Sequence, residues 1–259
     1  MRAVKPAFIL PLLLILASCS LLPEQIDTTK NWSASKLYSE AKASMSSGDY
    51  ETAIKYYEKL QARYPFGRYA QQAQIDLIYA YYRDDEPASA IAAADRFIKL
   101  HPRHPYVDYA YYLKGLANFN VSKGLFERYL PQDPTQRDPG AARQSFQDFS
   151  ELARRFPNSK YTPDAVQRMT YLRNNLAQYE VNVANYYMKR SAYVAAANRA
   201  KYVVENYDRS PAVPDALAVM AKAYKIMGLD DLSSDALRVL ELNAPGHPAI
   251  AEVRNLVVK

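Results

Sequence analysis

Five times along this chain a small residue is followed four positions later by a bulkier or apolar one, and eight positions after that by a residue that stops a helix. The sets are Ala53, Tyr57 and Pro65; Ala90, Ala94 and Pro102; Ser145, Phe149 and Pro157; Ala196, Ala200 and Asp208; and Ser233, Leu237 and Pro245. In three of them the frame begins earlier, with Gly48 and Tyr50, Ser191 and Tyr193, and Gly228 and Asp230. A spacing of four keeps two side chains on one face of a helix, and a small residue there lets a second helix approach closely. Proline lacks the amide hydrogen that would continue the helix, so it ends the segment. The spacing therefore predicts pairs of helices repeated along the chain. Helix formers dominate the body of the sequence, and the two-residue alternation of strands is hard to find.

The unit resembles the tetratricopeptide repeat, two antiparallel helices of about 34 residues in total. First helices fit the frame, with Ala184 and Tyr187, or Ala221 and Tyr224, three apart on one face. Frames begin near Ala34, Gln71, Asp108, Ala177 and Pro214. The expected fold is all-α, a superhelical array of about five tetratricopeptide-like helix pairs, with repeats 1–3 over 34–160 and repeats 4–5 over 161–259. Two departures stand out. The third repeat carries an insertion of about 17 residues, at 122–138, which is either a binding element or a loop without a role. No glycine or proline lies between Pro163 and Pro211, so the first helix of the fourth repeat is expected to run from Asp164 to about Lys189, with a turn near Ser191. The fourth repeat also has Asp208 where the others have their stop proline, which leaves its angle to the fifth repeat open.

Residues 1–18 do not belong to the fold. Arg2 and Lys5 precede an apolar stretch from Ala7 to Ala17, too short for the roughly 20 residues that span a bilayer. This is the pattern of a secretory signal peptide. It ends Leu16-Ala17-Ser18-Cys19, which resembles the lipobox of bacterial lipoproteins. That resemblance implies cleavage before Cys19, a diacylglyceryl group on its thiol and an acyl chain on its new amine, more than the one chain that gives only marginal anchoring. Cys19 is the sole cysteine, so no internal disulfide is available. Ser20 follows it rather than the aspartate of inner-membrane retention, which points to the outer membrane, facing the periplasm. Residues 19–33, polar and with Pro23, read as a lipidated tether.

Little in the chain recommends chemistry. His101, His104 and His247 each border a proline at a repeat boundary, and no neighbouring carboxylate or cysteine completes a metal set. Asp84-Asp85-Glu86 falls at a turn between helices and reads as solvated surface. Gly-rich phosphate loops, His-Glu-x-x-His and nucleophile elbows are missing. The expectation is a non-enzymatic protein without catalytic residues, metal or cofactor. Without Arg2 and Lys5 the formal charge of +6 falls to +4, and the charge is dispersed, so nucleic acid is not an expected partner.

The 23 tyrosines, against 8 phenylalanines, carry both an apolar face and a hydroxyl. Transferring the concave positions of tetratricopeptide first helices onto this chain gives a groove of Tyr38 and Met45, then Ile75, Tyr79 and Tyr82, then Tyr109, Tyr112, Leu116 and Phe119. Such a surface, with Lys42 and Arg83 as cations, suits an extended peptide with aromatic side chains and a carboxylate. The other reading is that the tyrosines pack against one another. In repeats 4 and 5 the same positions are Gln178, Val181, Asn185, Met188, Lys189, Asp215, Ala218, Lys222, Lys225 and Ile226, a more polar and basic set.

Several stretches resemble the BamD family, the tetratricopeptide lipoproteins of the outer-membrane β-barrel assembly machine. They are Arg63-Tyr64-Pro65-Phe66-Gly67, Ile75-Asp76-Leu77-Ile78-Tyr79-Ala80-Tyr81-Tyr82, Asp138-Pro139 followed by Phe146-Gln147-Asp148-Phe149, and Phe156-Pro157-Asn158-Ser159. The resemblance implies an outer-membrane adaptor held by a lipid anchor. Its implied partners are a BamA-like barrel-forming subunit, accessory lipoproteins and the C-terminal signals of unfolded outer-membrane proteins. It also implies that Arg199 pairs with an acidic residue of the barrel-forming subunit, with Tyr186 and Arg190 as neighbouring contacts, and that Tyr64 contacts substrate. A second function class needs the same anchor and repeats: a cell-wall-associated, or pilus or DNA-uptake, assembly scaffold.

Overall fold

The computed structural model describes residues 27–123 and 133–257. Cys19, the leader and most of the third-repeat insertion lie outside the described residues. Among the described residues there are eleven α-helices and no strand. They are α1 (Ala34–Ser47), α2 (Tyr50–Arg63), α3 (Arg68–Arg83), α4 (Pro87–Leu100), α5 (Val107–Lys123), α6 (Gly140–Arg155), α7 (Thr162–Lys189), α8 (Tyr193–Asn206), α9 (Val213–Ile226), α10 (Asp230–Asn243) and α11 (Ala249–Arg254). Each helix packs on the next, so α1 to α10 form five successive hairpins in a tetratricopeptide-like array, and short α11 packs over the last pair.

The spaced small residues sit where two helices touch. Ala53, Ala90, Ser145 and Ala196 are fully buried, and Ser233 nearly so. The two serines donate back to the preceding helix, Ser145 Oγ to the Gly115 carbonyl and Ser233 Oγ to the Ala221 carbonyl, each at 2.9 Å. A buried hydroxyl needs a partner, and the close approach supplies one. Four residues on, Tyr57, Ala94, Phe149 and Ala200 are also fully buried. Leu237, at the last pair, is partly buried.

Each helix with a stop proline has its last helical residue two positions before that proline. Tyr64, His101, Phe156 and Ala244 close α2, α4, α6 and α10 at φ −130°, −130°, −129° and −146°, outside the helical region, as the residue before a proline must be. Tyr207 closes α8 at φ −129° although Asp208 follows. Its carbonyl accepts the Ser210 amide at 2.8 Å, as the His101 and Ala244 carbonyls accept those of His104 and His247 at 3.0 Å. The turn keeps its path without the proline.

Between the helices of a pair, one residue turns left-handed: Gly48 (φ 86°), Asp85 (φ 59°), Ser191 (φ 58°) and Gly228 (φ 72°). A side chain in this region meets the following carbonyl, at a cost of roughly 1 kcal/mol. A Cβ built on Gly48 or Gly228 meets nothing within 4 Å, so the whole penalty there lies in the backbone. Ser191→Gly is therefore expected to stabilise the chain by about 0.5–1 kcal/mol, and Gly228→Ala to destabilise it by a similar amount. Urea denaturation reads both; a stability unchanged by either substitution overturns the assignment.

The long helix α7 runs 28 residues, about 42 Å at the α-helical rise. Pro163 occupies its first turn, where a missing amide hydrogen costs nothing. Ala165 and Leu172, in its first half, belong to the apolar cluster of α3 to α6. Ala177, Val181 and Ala184, in its second half, belong to the cluster of α8 and α9. One rigid helix thus carries the orientation of the early repeats into the late ones.

Candidate functional site

Of the groove residues read from the sequence, Ile75, Leu116 and Phe119 are buried at 2%, 7% and 5% exposure and belong to the core rather than to a binding surface. The reason is that α3 and α5 are covered by both flanking pairs, and apolar side chains there turn inward. Tyr79, Tyr82, Tyr109 and Tyr112 are half-buried against the same core. They close on one another and on their neighbours. Tyr109 and Tyr112 both stack on Tyr161, with ring centres 5.0 and 4.8 Å apart. Tyr79 meets Tyr50 edge-on and accepts a hydrogen bond from Arg83 at 2.7 Å, and the Arg83 guanidinium lies 4.8 Å from the Tyr50 ring. Tyr38 donates to Asp76 Oδ2 at 2.8 Å and packs on Tyr69.

These hydroxyls serve the fold. Burial, and then the bond to Asp164 at 2.7 Å, push the Tyr112 phenol up to about 12. Burial and the Asp76 charge push Tyr38 and Tyr57 up as well. Burial alone would raise the Asp164 carboxyl, but its bonds to Arg168 and Tyr112 outweigh that and hold it low. The N-terminal concave face is a paved aromatic floor.

Three buried carboxylates escaped the sequence reading. Asp76 also receives Gln72 at 3.2 Å and faces Lys42 at 3.6 Å. Asp148 accepts Asn118 at 2.7 Å and pairs with Lys114 at 3.2 Å. Glu180, 1% exposed, is gripped by Arg143 of α6 and Arg199 of α8, each at 2.8 Å, with both arginines 45% exposed. A signal was present for two of them: Asp76 interrupts an apolar run, and Glu180 shares a helical face with Leu176 and Ala184; Asp148 stands among polar residues and carries no such mark. Arg199 therefore has a partner within its own chain. The Glu180 bond, working against a smaller burial effect, holds its guanidinium more firmly protonated.

The open concavity lies in the second half. A cleft of about 980 Å³ is walled by α7, α9, α11 and the 3-10 turn Pro134–Gln136. Asn185, Met188, Lys189, Asp215, Ala218 and Lys222, six of the positions transferred from the repeat frame, line it together with Tyr186, His247 and Glu252. Tyr186 is 57% exposed, and Arg190 stands over its ring at 5.9 Å. Arg199 is not among the lining residues. Polar groups inside are largely partnered: Lys222 pairs with Glu252 at 2.7 Å, and the His247 ring hydrogen-bonds Asp215 at 3.0 Å. Lys189 has no ion pair among the described residues. The far end of the insertion also reaches this cleft, because Asn182 donates to the Thr135 hydroxyl at 2.9 Å and carbonyl at 3.2 Å. A wide cleft with mixed polar and apolar walls has room for a segment of polypeptide.

Residues 30–239 match the family described as outer membrane lipoprotein, YfiO. The outer membrane protein assembly factor BamD of Neisseria meningitidis serogroup B is 47% identical over 224 residues, 86% of this chain and 84% of that protein. The chain belongs to the BamD family. Family resemblance extends to more distant organisms: BamD of Vibrio cholerae is 37% identical over 229 residues, covering 88% of this chain and 94% of its own. A tetratricopeptide protein of Thermus thermophilus, 14% identical, superposes with a TM-score of 0.38, covering 86% of this chain and all of its own; so low a score adds nothing to the family assignment. Among the described residues no cluster of histidines, cysteines and carboxylates could hold a metal ion, and no helix is long and apolar enough to cross a membrane.

Proposed function

We propose that this chain is a non-enzymatic adaptor, held by an acyl anchor on Cys19 at the periplasmic face of the outer membrane, that serves the assembly of outer-membrane β-barrel proteins. It binds the periplasmic region of a BamA-like barrel-forming subunit through its last two repeats, works beside accessory lipoproteins, and receives C-terminal signals of unfolded outer-membrane proteins through its first repeats. Membership of the BamD family supports the process. The single observation that carries the division of labour is the contrast between the two concave faces: the second half keeps an open cleft, and the first half is paved by its own tyrosines. A folded or extended partner segment can enter the former. The latter offers a half-exposed aromatic surface for stacking, with Tyr38, Tyr79, Tyr82, Tyr109 and Tyr112 as its members.

The cleft gives a sharper test than Arg199. Arg199→Glu would set a second carboxylate against buried Glu180, so it would disturb the fold and the partner surface together. Asn185 and Lys189 are exposed on the cleft wall. Asn185→Trp with Lys189→Glu is expected to leave the melting temperature within a degree or two, since exposed changes rarely move stability. The same variant should lower recovery of the barrel-forming subunit on co-purification from solubilised membranes by about tenfold or more, the equivalent of 1.4 kcal/mol. Equal recovery would remove the cleft from the partner interface. A preparation containing peptidoglycan or pilus components and no β-barrel subunit would favour the scaffold reading.

A further inference from the structure

At one end of the array the chain entering from the N-terminus is clamped to the first repeat. Asp27 pairs with Lys59 at 2.8 Å and with Arg63. Arg63 also donates to the Thr29 carbonyl, and Thr29 is 2% exposed. The Lys59 bond, helped by Thr29, holds the Asp27 carboxyl far below the usual range. The clamp continues through Trp32, whose ring packs on Tyr56 at 5.5 Å and whose carbonyl accepts the Tyr64 hydroxyl at 3.0 Å. The tether therefore emerges beside the C-terminal end of α2.

The loop that follows carries the most exposed large apolar side chain among the described residues. Phe66 is 90% exposed, with Tyr64 at 38% beside it. Gly67, at φ 97°, makes the turn that starts α3. Around this aromatic tip the charge is positive: Asp27 is outnumbered by Lys59 and Arg63, and exposed Lys30 and Arg68 have no ion pair among the described residues. Cys19 lies only eight residues before Asp27, a reach of at most about 29 Å even when fully extended. An acyl chain on Cys19 thus holds this end of the molecule close to lipid, whatever path the tether takes.

We propose that the Tyr64–Arg68 loop rests in the headgroup layer of the bilayer that holds the acyl anchor, with Phe66 inserted and Lys30 and Arg68 facing anionic phosphates. The inference rests on the lipoprotein reading above. Aromatic rings favour the bilayer interface, and basic residues near an anionic surface add to the attraction. The contact supplements the acyl chains only modestly. Its larger consequence is orientation, because it fixes the first repeat against the membrane and directs the remaining repeats away from it.

Trp32 is the sole tryptophan and a native probe of this end. The acylated full chain is reconstituted in vesicles of phosphatidylethanolamine and phosphatidylglycerol containing brominated lipid, which quenches tryptophan on contact. Wild type is expected to be quenched several-fold more strongly than Phe66→Ser, a substitution at a side chain with almost no packing to lose. Quenching should also weaken in Arg68→Ser and in vesicles without the anionic lipid. Equal quenching in wild type and Phe66→Ser overturns the contact, since the tether alone would then set the distance. So does a wild-type Trp32 that stays unquenched in lipid and is shielded only when an unfolded outer-membrane polypeptide is added. Flotation of the same samples separates the two readings: protein that fails to float overturns the anchor and the contact together, and protein that floats unquenched overturns the contact alone.

Discussion

Removing both arginines from Glu180, as Arg143→Ala with Arg199→Ala, is expected to destabilise the chain by about 3–5 kcal/mol, the cost of stranding a buried charge. Glu180 is 1% exposed and has one arginine on each carboxylate oxygen, from α6 on one side and α8 on the other. Each single substitution leaves one charge-assisted bond in place and should cost about 1–2 kcal/mol, so the double loss should exceed the sum. The effect is asymmetric. Each guanidinium is 45% exposed and can return to water, while the carboxylate cannot. Adding Glu180→Leu to the double variant is therefore expected to recover most of the stability, because an apolar side chain in that position needs no partner. Urea denaturation of the four variants checks the set, and additive single effects with no recovery in the triple variant would refute it. The bridge also ties the third helix pair to the fourth along α7, so its loss should uncouple their unfolding. A single transition should broaden or split, as nearest-neighbour stability in repeat arrays implies.

Gly115→Val should be the other severe change. The Cβ of even an alanine at this position would lie 2.5 Å from Phe149 Cε1 and 2.6 Å from Cδ1, and Phe149 is fully buried. The ring cannot retreat, because the Ser145 hydroxyl bonds the Gly115 carbonyl and fixes the separation of α5 and α6. Overpacking of this kind costs about 1–3 kcal/mol for one or two carbons, and valine adds three. Gly115→Ala should sit at the low end of that range and Gly115→Val at or above its top. Combining Gly115→Ala with Phe149→Leu should relieve the clash at the expense of lost ring contacts, so the double variant should be less damaged than the two single losses added together. Thermal melting distinguishes these outcomes. A Gly115→Ala protein as stable as the wild type would mean that α5 and α6 have room to separate.

Much of the fold was legible because helical repeats write their contacts locally. Ala53 and Tyr57, or Ser145 and Phe149, lie on one helix face by spacing alone, and the same spacing marks where helices touch and end. The long helix is legible for the converse reason, since nothing between Pro163 and Pro211 could interrupt it until Ser191 took a left-handed turn. The turn at Asp85 shows how such a signal is lost. Asp85, Pro87 and Ala90 keep the offsets of Gly48, Tyr50 and Ala53, but a motif search that expects glycine passes over an aspartate that tolerates the same backbone.

The candidate site was legible only in part. Transfer by frame position placed ten residues of repeats 4 and 5 on a common wall; Asn185, Met188, Lys189, Asp215, Ala218 and Lys222 line the cleft, whereas Gln178, Val181, Lys225 and Ile226 do not, and Val181 is buried in the core. The same procedure placed Ile75, Leu116 and Phe119 on a surface, and the structure buries them. Frame position reports which face of a helix a residue occupies. It does not report how tightly the next pair closes over that face, which depends on the rotation between successive pairs.

From its residues alone the chain is committed to paired helices, their number and their stops, because each depends on backbone chemistry within a few positions. Tertiary structure alone decides that the first concave face is paved and the second open, that Arg199 answers to Glu180, and that the tether is clamped beside Phe66. Those outcomes depend on residues distant in sequence, from Glu180 and Arg199 within neighbouring helices to Thr135 and Glu252 on opposite walls of the cleft, and no local pattern carries such distances.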